Sequence, residues 1–464
     1  GMGLPLAVTH AVNEMMSAAC LSLQLNPLMT EGQIEALEHH ASDALKDVYL
    51  PKLMSGEWCG TMNLTEPQAG SDVGALSSKA VPNSDGSFAI SGQKIFISWG
   101  DNDFAENICH LVLARLPDGK PGTKGISLFL VPKYIPDGAG NPGVANDLKV
   151  VSLEHKMGLH GSPTAVMEYD NATGWLIGAE HGGMAAMFTM MNNARLGVGV
   201  QGVGAAEGAY QHALAYAQDR KQGGAGAIID HADVRRMLAE MKADVFVARA
   251  IALMNATAID MTSATQNPDW KARAAFLTPI SKSFGTDTGI AVSATGVQVH
   301  GGMGYIEETG AAQFARDVRV TAIYEGTNGI QAMDLVGRKL MDGGEAAFAL
   351  LEEIEQGAEA AKAKQPDLAE AVWQAAESLR ETTEWLVTQD MTDRFAGAVP
   401  YLRAFARVLG GHIHLTAAIK GDDSRLRLAT FYINRMLPEF AGLLAHVREG
   451  ADDLMAITAD DLAA

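Results

Sequence analysis

The chain has 464 residues, 47% of them hydrophobic and 19% charged, which is the composition of a globular protein and not of a disordered one. Its formal net charge of −20 argues against nucleic acid and an anionic membrane as partners, because both would repel it. Its cysteines form no CxxC pair, so we expect no metal site, no disulfide framework and a reducing compartment, the cytoplasm.

The first segment, residues 1–57, is predicted to be a helical domain. Residues 4–54 have a helical pattern, and Thr30 with Gln33 matches a capping box, which predicts that a helix begins there. The first residues, "GMGLPLAVTHAV", lack the basic segment of a signal peptide. No apolar run reaches about 18 residues, so we expect no membrane span.

Residues 58–178 are predicted to be a β domain. Apolar residues recur at every second position, in short runs that Pro, Gly, Asn and Asp separate. The runs are "LSSKAV", "SFAISG", "KIFISW", "ICHLVLARL", "ISLFLVP" and "TAVMEY". Because no long helical pattern interrupts them, we expect an antiparallel sheet in the form of a barrel or sandwich.

Two helical segments follow, so the predicted fold class is α+β. Residues 179–342 contain long helical patterns, and helices of that length usually pack as an antiparallel bundle, here a four-helix bundle. Residues 343–464 are a further run of amphipathic helical patterns. We predict that this tail is an added, independent helical layer.

Three glycine-rich stretches of the helical segments have alternative interpretations. "GVGVQG", Gly197–Gly202, matches the GxGxxG of dinucleotide-binding loops, but helical patterns on both sides favour close helix packing. In "DRKQGGAG", Arg220 either complements a helix dipole or clamps a phosphate. "GVQVHGGMGYIEETG", Gly296–Gly310, either ends a helix at its glycines or lets the backbone approach a ligand closely.

Three other stretches hold further candidates. "NLTEPQAGSDVGA", Asn63–Ala75, has the composition of an ordinary turn and would be functional if its amides and hydroxyls faced a ligand. In "SGQKIFISWG", Phe96 and Trp99 lie on opposite faces of a predicted strand, and core positions are the favoured interpretation. "AIYEGTNGIQAM" places Glu325 at the start of an apolar helix, where it is either a capping acid or a catalytic base.

Together, and in this order, the stretches resemble the acyl-CoA dehydrogenase family of flavoproteins. The resemblance runs from about residue 4 to residue 340. The motifs that carry it are "TEPQAGSD", "KIFIS", "KMGLHGSPT", "HGGMGY", "RD" at Arg316–Asp317 and "YEGT". The tail is similar to that of a subgroup with an added helical domain, which suggests a short or heteroatom-containing acyl group.

The resemblance implies FAD as cofactor, an acyl-CoA as substrate and an electron-transfer flavoprotein as electron acceptor. Glu325 then matches the base that removes the α-proton as the acyl-CoA is oxidised to the trans-2-enoyl-CoA. The implied FAD-binding residues are Leu64, Thr65, Phe96, Ser98, Arg220, Gln298, Gly302 and Thr327. The implied substrate-binding residues are Ser71, Arg195, Tyr324 and Gly326.

The resemblance also bears on assembly and on the alternatives. Arg220 and Gln298–Gly302 match the two halves of a site that subunits share, which implies a homodimer or a dimer of dimers. Family members usually have more helices before the "TEPQAGSD" loop, so we expect an incomplete N-terminal domain. An acyl-CoA oxidase shares the implied architecture. A non-catalytic acyl-CoA-binding scaffold is disfavoured, because the residues implied for catalysis and for FAD are present.

Overall fold

The structure is a computed structural model that describes residues 3–224 and 226–463. The outermost residues of the predicted terminal domains (1, 2 and 464) and Ala225 of "DRKQGGAG" lie outside the described residues. The fold is mixed α+β, with N-terminal helices, a β-sheet domain and C-terminal helices. The chain divides into two compact units, one built on residues 20–194 and the other on residues 5–19 with the chain from residue 195 onward.

Two helices precede the sheet, α1 at Leu6–His40 and α2 at Asp43–Ser55. α1 is broken at Cys20, whose φ of −159° and ψ of 92° are not helical, and the chain passes from one unit to the other at this break. The predicted capping box is wrong. Thr30 lies inside α1, and its hydroxyl donates to the carbonyl of Asn26 at 3.1 Å, because a helical turn already precedes it.

The β domain contains nine strands within the described residues. They are β1 Trp58–Asn63, β2 Lys79–Pro82, β3 Phe88–Ser98, β4 Asn107–Arg115, β5 Ile126–Pro132, β6 Tyr134–Pro136, β7 Pro142–Ala145, β8 Leu148–Leu153 and β9 Thr164–Ile177. Seven of them form one sheet in the order β1-β4-β2-β3-β9-β5, with β8 on β9, and β6 pairs with β7. The runs "SFAISG" and "KIFISW" are a single strand, β3, which is irregular between Lys94 and Ile97.

The expectation of a purely antiparallel sheet is wrong at two pairings. β1 pairs with β4 in parallel along its whole length, and Lys79 of β2 pairs in parallel with Arg115 of β4. Parallel neighbours need a long connection, and the chain between β1 and β4 supplies it with the "TEPQAGSD" loop and the β2–β3 hairpin. β4 also pairs with β5, so the pairings from β4 through β2, β3, β9 and β5 lead back to β4.

The second unit consists of helices. The long ones are α3 Gly183–Asp219, α4 Ala232–Thr265 and α5 Pro268–His300, followed by α6 Ala311–Val318 and α7 Asn328–Gly337. The tail contains α8 Glu345–Ala361, α9 Pro366–Leu386, α10 Met391–Ala396, α11 Ala398–Lys420, α12 Asp423–Arg435, α13 Glu439–Arg448, α14 Asp452–Ala456 and α15 Ala459–Ala463.

The "GVGVQG" stretch lies inside α3, which confirms helix packing and rules out a dinucleotide loop. A Cβ on Gly199 would lie 2.7 Å from the carbonyl oxygen of Ser281, and one on Gly202 would lie 2.3 Å from that of Gly285. Both partners are on α5. The glycines therefore let the backbones of α3 and α5 approach closely.

The tail shares one hydrophobic core with α3, α4, α5 and α7, so the prediction that it is an independent layer is wrong. The ring of Phe276 on α5 meets that of Phe405 on α11 edge to face, with centroids 4.9 Å apart. By length and composition α4 could cross a membrane, but a buried core helix passes the same test. Its residues Leu238, Val245 and Ile251 lie in this core.

The close α3–α5 contact predicts that a larger residue at Gly202 lowers the stability of the protein. Gly202→Ala should lower the melting temperature, because a methyl group forced against the Gly285 backbone costs about 1–3 kcal/mol. Gly442→Ala is the matched control, since this exposed glycine lies inside α13 with nothing within 4 Å of its added Cβ. The control should be neutral or slightly stabilising. Equal melting temperatures for the two variants would contradict a tight α3–α5 contact.

Candidate active site

In the first unit, a buried ion pair holds the "TEPQAGSD" loop against the sheet. Lys94 on β3 is fully buried, and its Nζ lies 2.8 Å from Glu66 Oε1 and 3.0 Å from the carbonyl oxygen of Leu64. The carboxylate of Glu66 also accepts hydrogen bonds from the amides and hydroxyls of Ser77 and Ser78. Burial acts to raise the pKa of Glu66, but Lys94 and these donors hold it at about 2.

This ion pair places the implied flavin contacts beside one another. Directly after Leu64, the carbonyl of Thr65 accepts from the amide of Ile95 at 2.9 Å, next to Phe96 on β3. No role was predicted for Glu66 or Lys94 from the sequence. A signal was present for Lys94, which is the only charge of its motif "KIFIS".

Phe96 corrects the expectation of two core aromatics. Its backbone has a φ of 61°, and the strand irregularity turns it outward, so that 60% of the residue is exposed. Trp99 is buried as expected, and its Nε1 donates to the carbonyl of Ser22 at 3.2 Å. Thr65 and Ser98 are half-buried, whereas Ser71 is exposed on its loop.

In the second unit, the segment before α7 carries Glu325 in a strained backbone. Glu325 has a φ of 57°, a left-handed conformation that a non-glycine residue adopts at a cost of about 1–3 kcal/mol. Gly326 follows with a φ of 83°. Thr327 is the N-cap of α7, and its hydroxyl accepts from the amide of Ile330 at 3.3 Å. The capping role therefore belongs to Thr327 and not to Glu325.

Glu325 is not the isolated charge that its sequence neighbourhood indicated. Burial raises the pKa of its carboxyl to about 7, against the opposing effects of Arg195 from α3 and Lys282 from α5. Both cations are buried, and burial lowers their pKa values. Arg195 lies 3.8 Å from Asp334 on α7. The site thus joins three helices and the Glu325 segment.

Lys282 supports the backbone on both sides of the helix start. Its Nζ donates to the carbonyl of Gly326 at 3.0 Å and to Oδ1 of Asn328 at 2.9 Å. Gln331 Nε2 donates to the carbonyl of Glu325 at 3.2 Å. The roles of Lys282, Asn328 and Gln331 were not predicted from the sequence. For Lys282 a usable signal was present, because it is a lysine among small and apolar residues in "TPISKSFG".

Several buried polar atoms around this segment are not satisfied. Glu325 Oε2, Arg195 Nε and Gln331 Oε1 have no hydrogen-bond partner within the described residues. Leaving a buried polar group unpaired costs about 1–3 kcal/mol, and these three atoms make the surroundings of Glu325 a candidate ligand site. The hydroxyl of Tyr324 donates to Gln201 Oε1, and burial and the nearby charge of Glu325 raise its pKa.

The remaining implied contacts are exposed in the second unit. Arg220 directly follows α3, and its carbonyl accepts from the amide of Ile228 at 2.8 Å, which closes the loop between them. Gln298 lies in the last turn of α5, and Gly302 lies in the short helical turn after it. Among the residues that the structure describes, no group of three His, Cys, Asp or Glu could hold a metal ion.

Three family models match consecutive parts of the chain. Residues 61–172 match the acyl-CoA dehydrogenase middle domain, and residues 181–341 match the acyl-CoA dehydrogenase C-terminal domain. Residues 350–458 match a domain described as acetyl-CoA dehydrogenase C-terminal like.

Relatives and solved structures agree with these matches. A 3-methylmercaptopropionyl-CoA dehydrogenase of Ruegeria pomeroyi is 44% identical over 98% of this chain and 82% of its own length. An acyl-CoA dehydrogenase complexed with FAD from Bacillus anthracis aligns with a TM-score of 0.79 at 21% identity, covering 100% of this chain and 80% of that chain. A structure described as the electron transferring flavoprotein of Acidaminococcus fermentans aligns with a TM-score of 0.63 at 27% identity. The alignment covers 72% of this chain and 82% of that chain.

The chain therefore belongs to the acyl-CoA dehydrogenase family. It is an FAD-dependent oxidoreductase that acts on the CH–CH group of an acyl-CoA. The first unit fits that cofactor, because the exposed ring of Phe96 offers an apolar surface to a flat ring system. Ser98 follows two residues later on the same strand, and the carbonyl of Thr65 accepts from the amide of Ile95, the residue before Phe96.

The charges around Glu325 predict a pH dependence. The acid limb of kcat/KM should lie near pH 7, because a base acts only when deprotonated. Lys282→Met removes a cation that favours the carboxylate, so the limb should move up by about one pH unit. Lys271→Met, at an exposed position of the same helix, is the control. An unmoved limb in a folded, FAD-loaded Lys282→Met enzyme would contradict this coupling.

Proposed function

We propose that Glu325 is the base that removes the α-proton of the acyl-CoA thioester. The observation that carries the proposal is its buried, unpartnered Oε2, in a carboxyl whose pKa is raised to about 7. A carboxylate with ordinary solvation would be too weak a base for this proton, whereas one with a pKa near the working pH is matched to the task.

The chemistry divides between the protein and its cofactor. The α-proton passes to the carboxylate of Glu325, and the electron pair of the broken C–H bond forms the double bond between the α and β carbons. Bound FAD supplies the acceptor for the hydride that leaves the β-carbon. Arg195 and Lys282 act against the desolvation that favours the neutral carboxyl, and the Gln331 side chain donates to the main-chain carbonyl of Glu325.

Positioning also matters for this step. The left-handed backbone at Glu325 and Gly326 leaves the carboxylate little freedom, and the contacts of Lys282 with Gly326 and Asn328 maintain that conformation. A fixed base gains rate because no side-chain motion has to be frozen during reaction.

We propose a short acyl-CoA as substrate, with 3-methylmercaptopropionyl-CoA first among the candidates. The support is the substrate of the Ruegeria pomeroyi relative. We propose an electron-transfer flavoprotein as the electron acceptor, which the Acidaminococcus fermentans similarity supports. The predicted substrate-binding roles of Ser71, Tyr324 and Gly326 stay proposals.

The finer points of organisation are proposals as well. The return of the strand pairings to β4 supports a barrel-like sheet, and the three long helices support the predicted bundle. The exposed positions of Arg220, Gln298 and Gly302 support a site shared between subunits of a homodimer or a dimer of dimers. We propose a cytoplasmic location on the cysteine usage alone.

The role of Glu325 is tested by Glu325→Gln. This variant keeps the shape of the side chain but cannot accept the proton, so flavin reduction by substrate should slow at least about 10²-fold. The variant should still purify with FAD and bind acyl-CoA. Anaerobic stopped-flow absorbance measures the rate. Reduction at the wild-type rate would place the base elsewhere, and Glu307 and Glu308 would be examined next.

The substrate class is tested by anaerobic titration with a panel of acyl-CoAs while flavin bleaching is followed. We expect bleaching by 3-methylmercaptopropionyl-CoA and butyryl-CoA at lower concentrations than by palmitoyl-CoA. A preference for palmitoyl-CoA would contradict the short-chain proposal without affecting the role of Glu325. Stoichiometric oxygen consumption during turnover would favour the oxidase alternative over a flavoprotein acceptor.

A further inference from the structure

A cleft between α4 and α12 in the second unit is separate from the residues around Glu325. Its volume is about 1100 Å³. The lining positions on each helix recur every three to four residues, so one face of each helix lines the cleft. A concave site of this size, formed within one unit, accommodates a small-molecule ligand.

The cleft is basic although the whole chain is strongly acidic. Six cations line it: Arg235, Arg236, Lys242, Arg425, Arg427 and Arg435. Three carboxylates line it: Asp230, Asp233 and Asp422. The chain as a whole has 35 Lys and Arg against 55 Asp and Glu. A cleft with an excess of one sign of charge focuses the electrostatic potential and attracts ligands of the opposite sign.

The three carboxylates are already engaged. Asp233 pairs with Arg236 at 2.7 Å, and Asp230 lies 3.3 Å from Arg235. Asp422 caps α12 by accepting from the amide of residue 425 at 3.0 Å. Lys242 and Arg427 form no ion pair within the described residues. The cations in excess are therefore available to an anion.

Aromatic rings organise two of the arginines. The guanidinium of Arg425 lies 4.6 Å from the ring centroid of Phe246, and that of Arg435 lies 6.0 Å from that of Phe431. A guanidinium that rests on a ring is held in place, and its planar fork matches phosphate oxygens. Phe431 and Leu428 are half-buried and give the cleft an apolar patch, on which a nucleobase can stack.

We propose that this cleft is a second ligand site, which binds a nucleotide through its phosphates and its base. The chemistry that it recognises is a phosphate joined to a flat base, as in an adenosine phosphate, which occurs as a free nucleotide and also as part of FAD and of CoA. The proposal is for the free nucleotide, and the test distinguishes it from the other two sources.

The test uses the FAD-loaded full-length chain and isothermal titration calorimetry. The probes are ADP, adenosine 3′,5′-bisphosphate, adenosine and inorganic pyrophosphate. We expect ADP or the bisphosphate to bind more tightly than adenosine or pyrophosphate. Only ADP and the bisphosphate have both a phosphate for the cations and a base for the apolar patch. Affinity should fall as salt is added, since the phosphate contacts are charged.

The variant for this test is Lys242→Gln/Arg427→Gln, which should weaken nucleotide binding at least about tenfold. The matched control is Lys124→Gln/Lys271→Gln, which removes the same charge at exposed positions outside the cleft and should leave the affinity unchanged. FAD content and the KM for acyl-CoA should be those of the wild type in both variants.

Three results would overturn the proposal. One is no binding of any probe at millimolar concentration. Another is equal affinity in the wild type and the cleft variant, which would place the nucleotide elsewhere. The third is loss of FAD or a raised KM for acyl-CoA in the cleft variant alone, which would assign the cleft to the cofactor or the substrate.

Discussion

The burial of one carboxylate between two cations is the constraint on which the second unit depends. Desolvation disfavours the charged form of Glu325, and without Arg195 and Lys282 its carboxyl would be held in the neutral form. The two cations come from α3 and α5, so their distance from Glu325 depends on how closely these helices pack. The glycine contacts at 199 and 202 fix that packing. Small residues far from the carboxylate in sequence thus set the strength of the base.

The two units use the same type of side chain in opposite ways. Glu66 is buried with a lysine and five further donors, so its pKa falls to about 2 and it stays ionised as a structural anchor. Glu325 is buried with two cations, but its Oε2 has no donor among the described residues, so its pKa rises to about 7. The charge of Lys94 in direct contact, together with the hydrogen bonds to the carboxylate, distinguishes the anchor from the base.

Features that depend on residues close together in the sequence could be predicted, whereas features that depend on contacts between distant segments could not. Local signals predicted the α+β order, the helical glycine stretch in α3 and the candidate base, because periodicity and motif spacing are local properties. The parallel β1–β4 pairing could not be predicted, since it depends on which strand edges meet. The outward turn of Phe96 depends on a strand irregularity against β9. The partners of Glu325 were missed because Arg195 and Lys282 stand on other helices.

The tail helices help to position the segments around Glu325, although they carry none of the residues implied for the flavin or the substrate. Arg394 on α10 donates to the carbonyl of Val336 at 3.3 Å, and Arg407 on α11 forms a buried ion pair with Asp244 on α4. Val336 lies on α7, whose Asp334 holds Arg195. A helix of ten residues has little stability of its own, so packing against α5 and against the tail fixes its position. The added helices therefore help to define the electrostatic environment of Glu325, which explains why their core is continuous with that of the helices around the site.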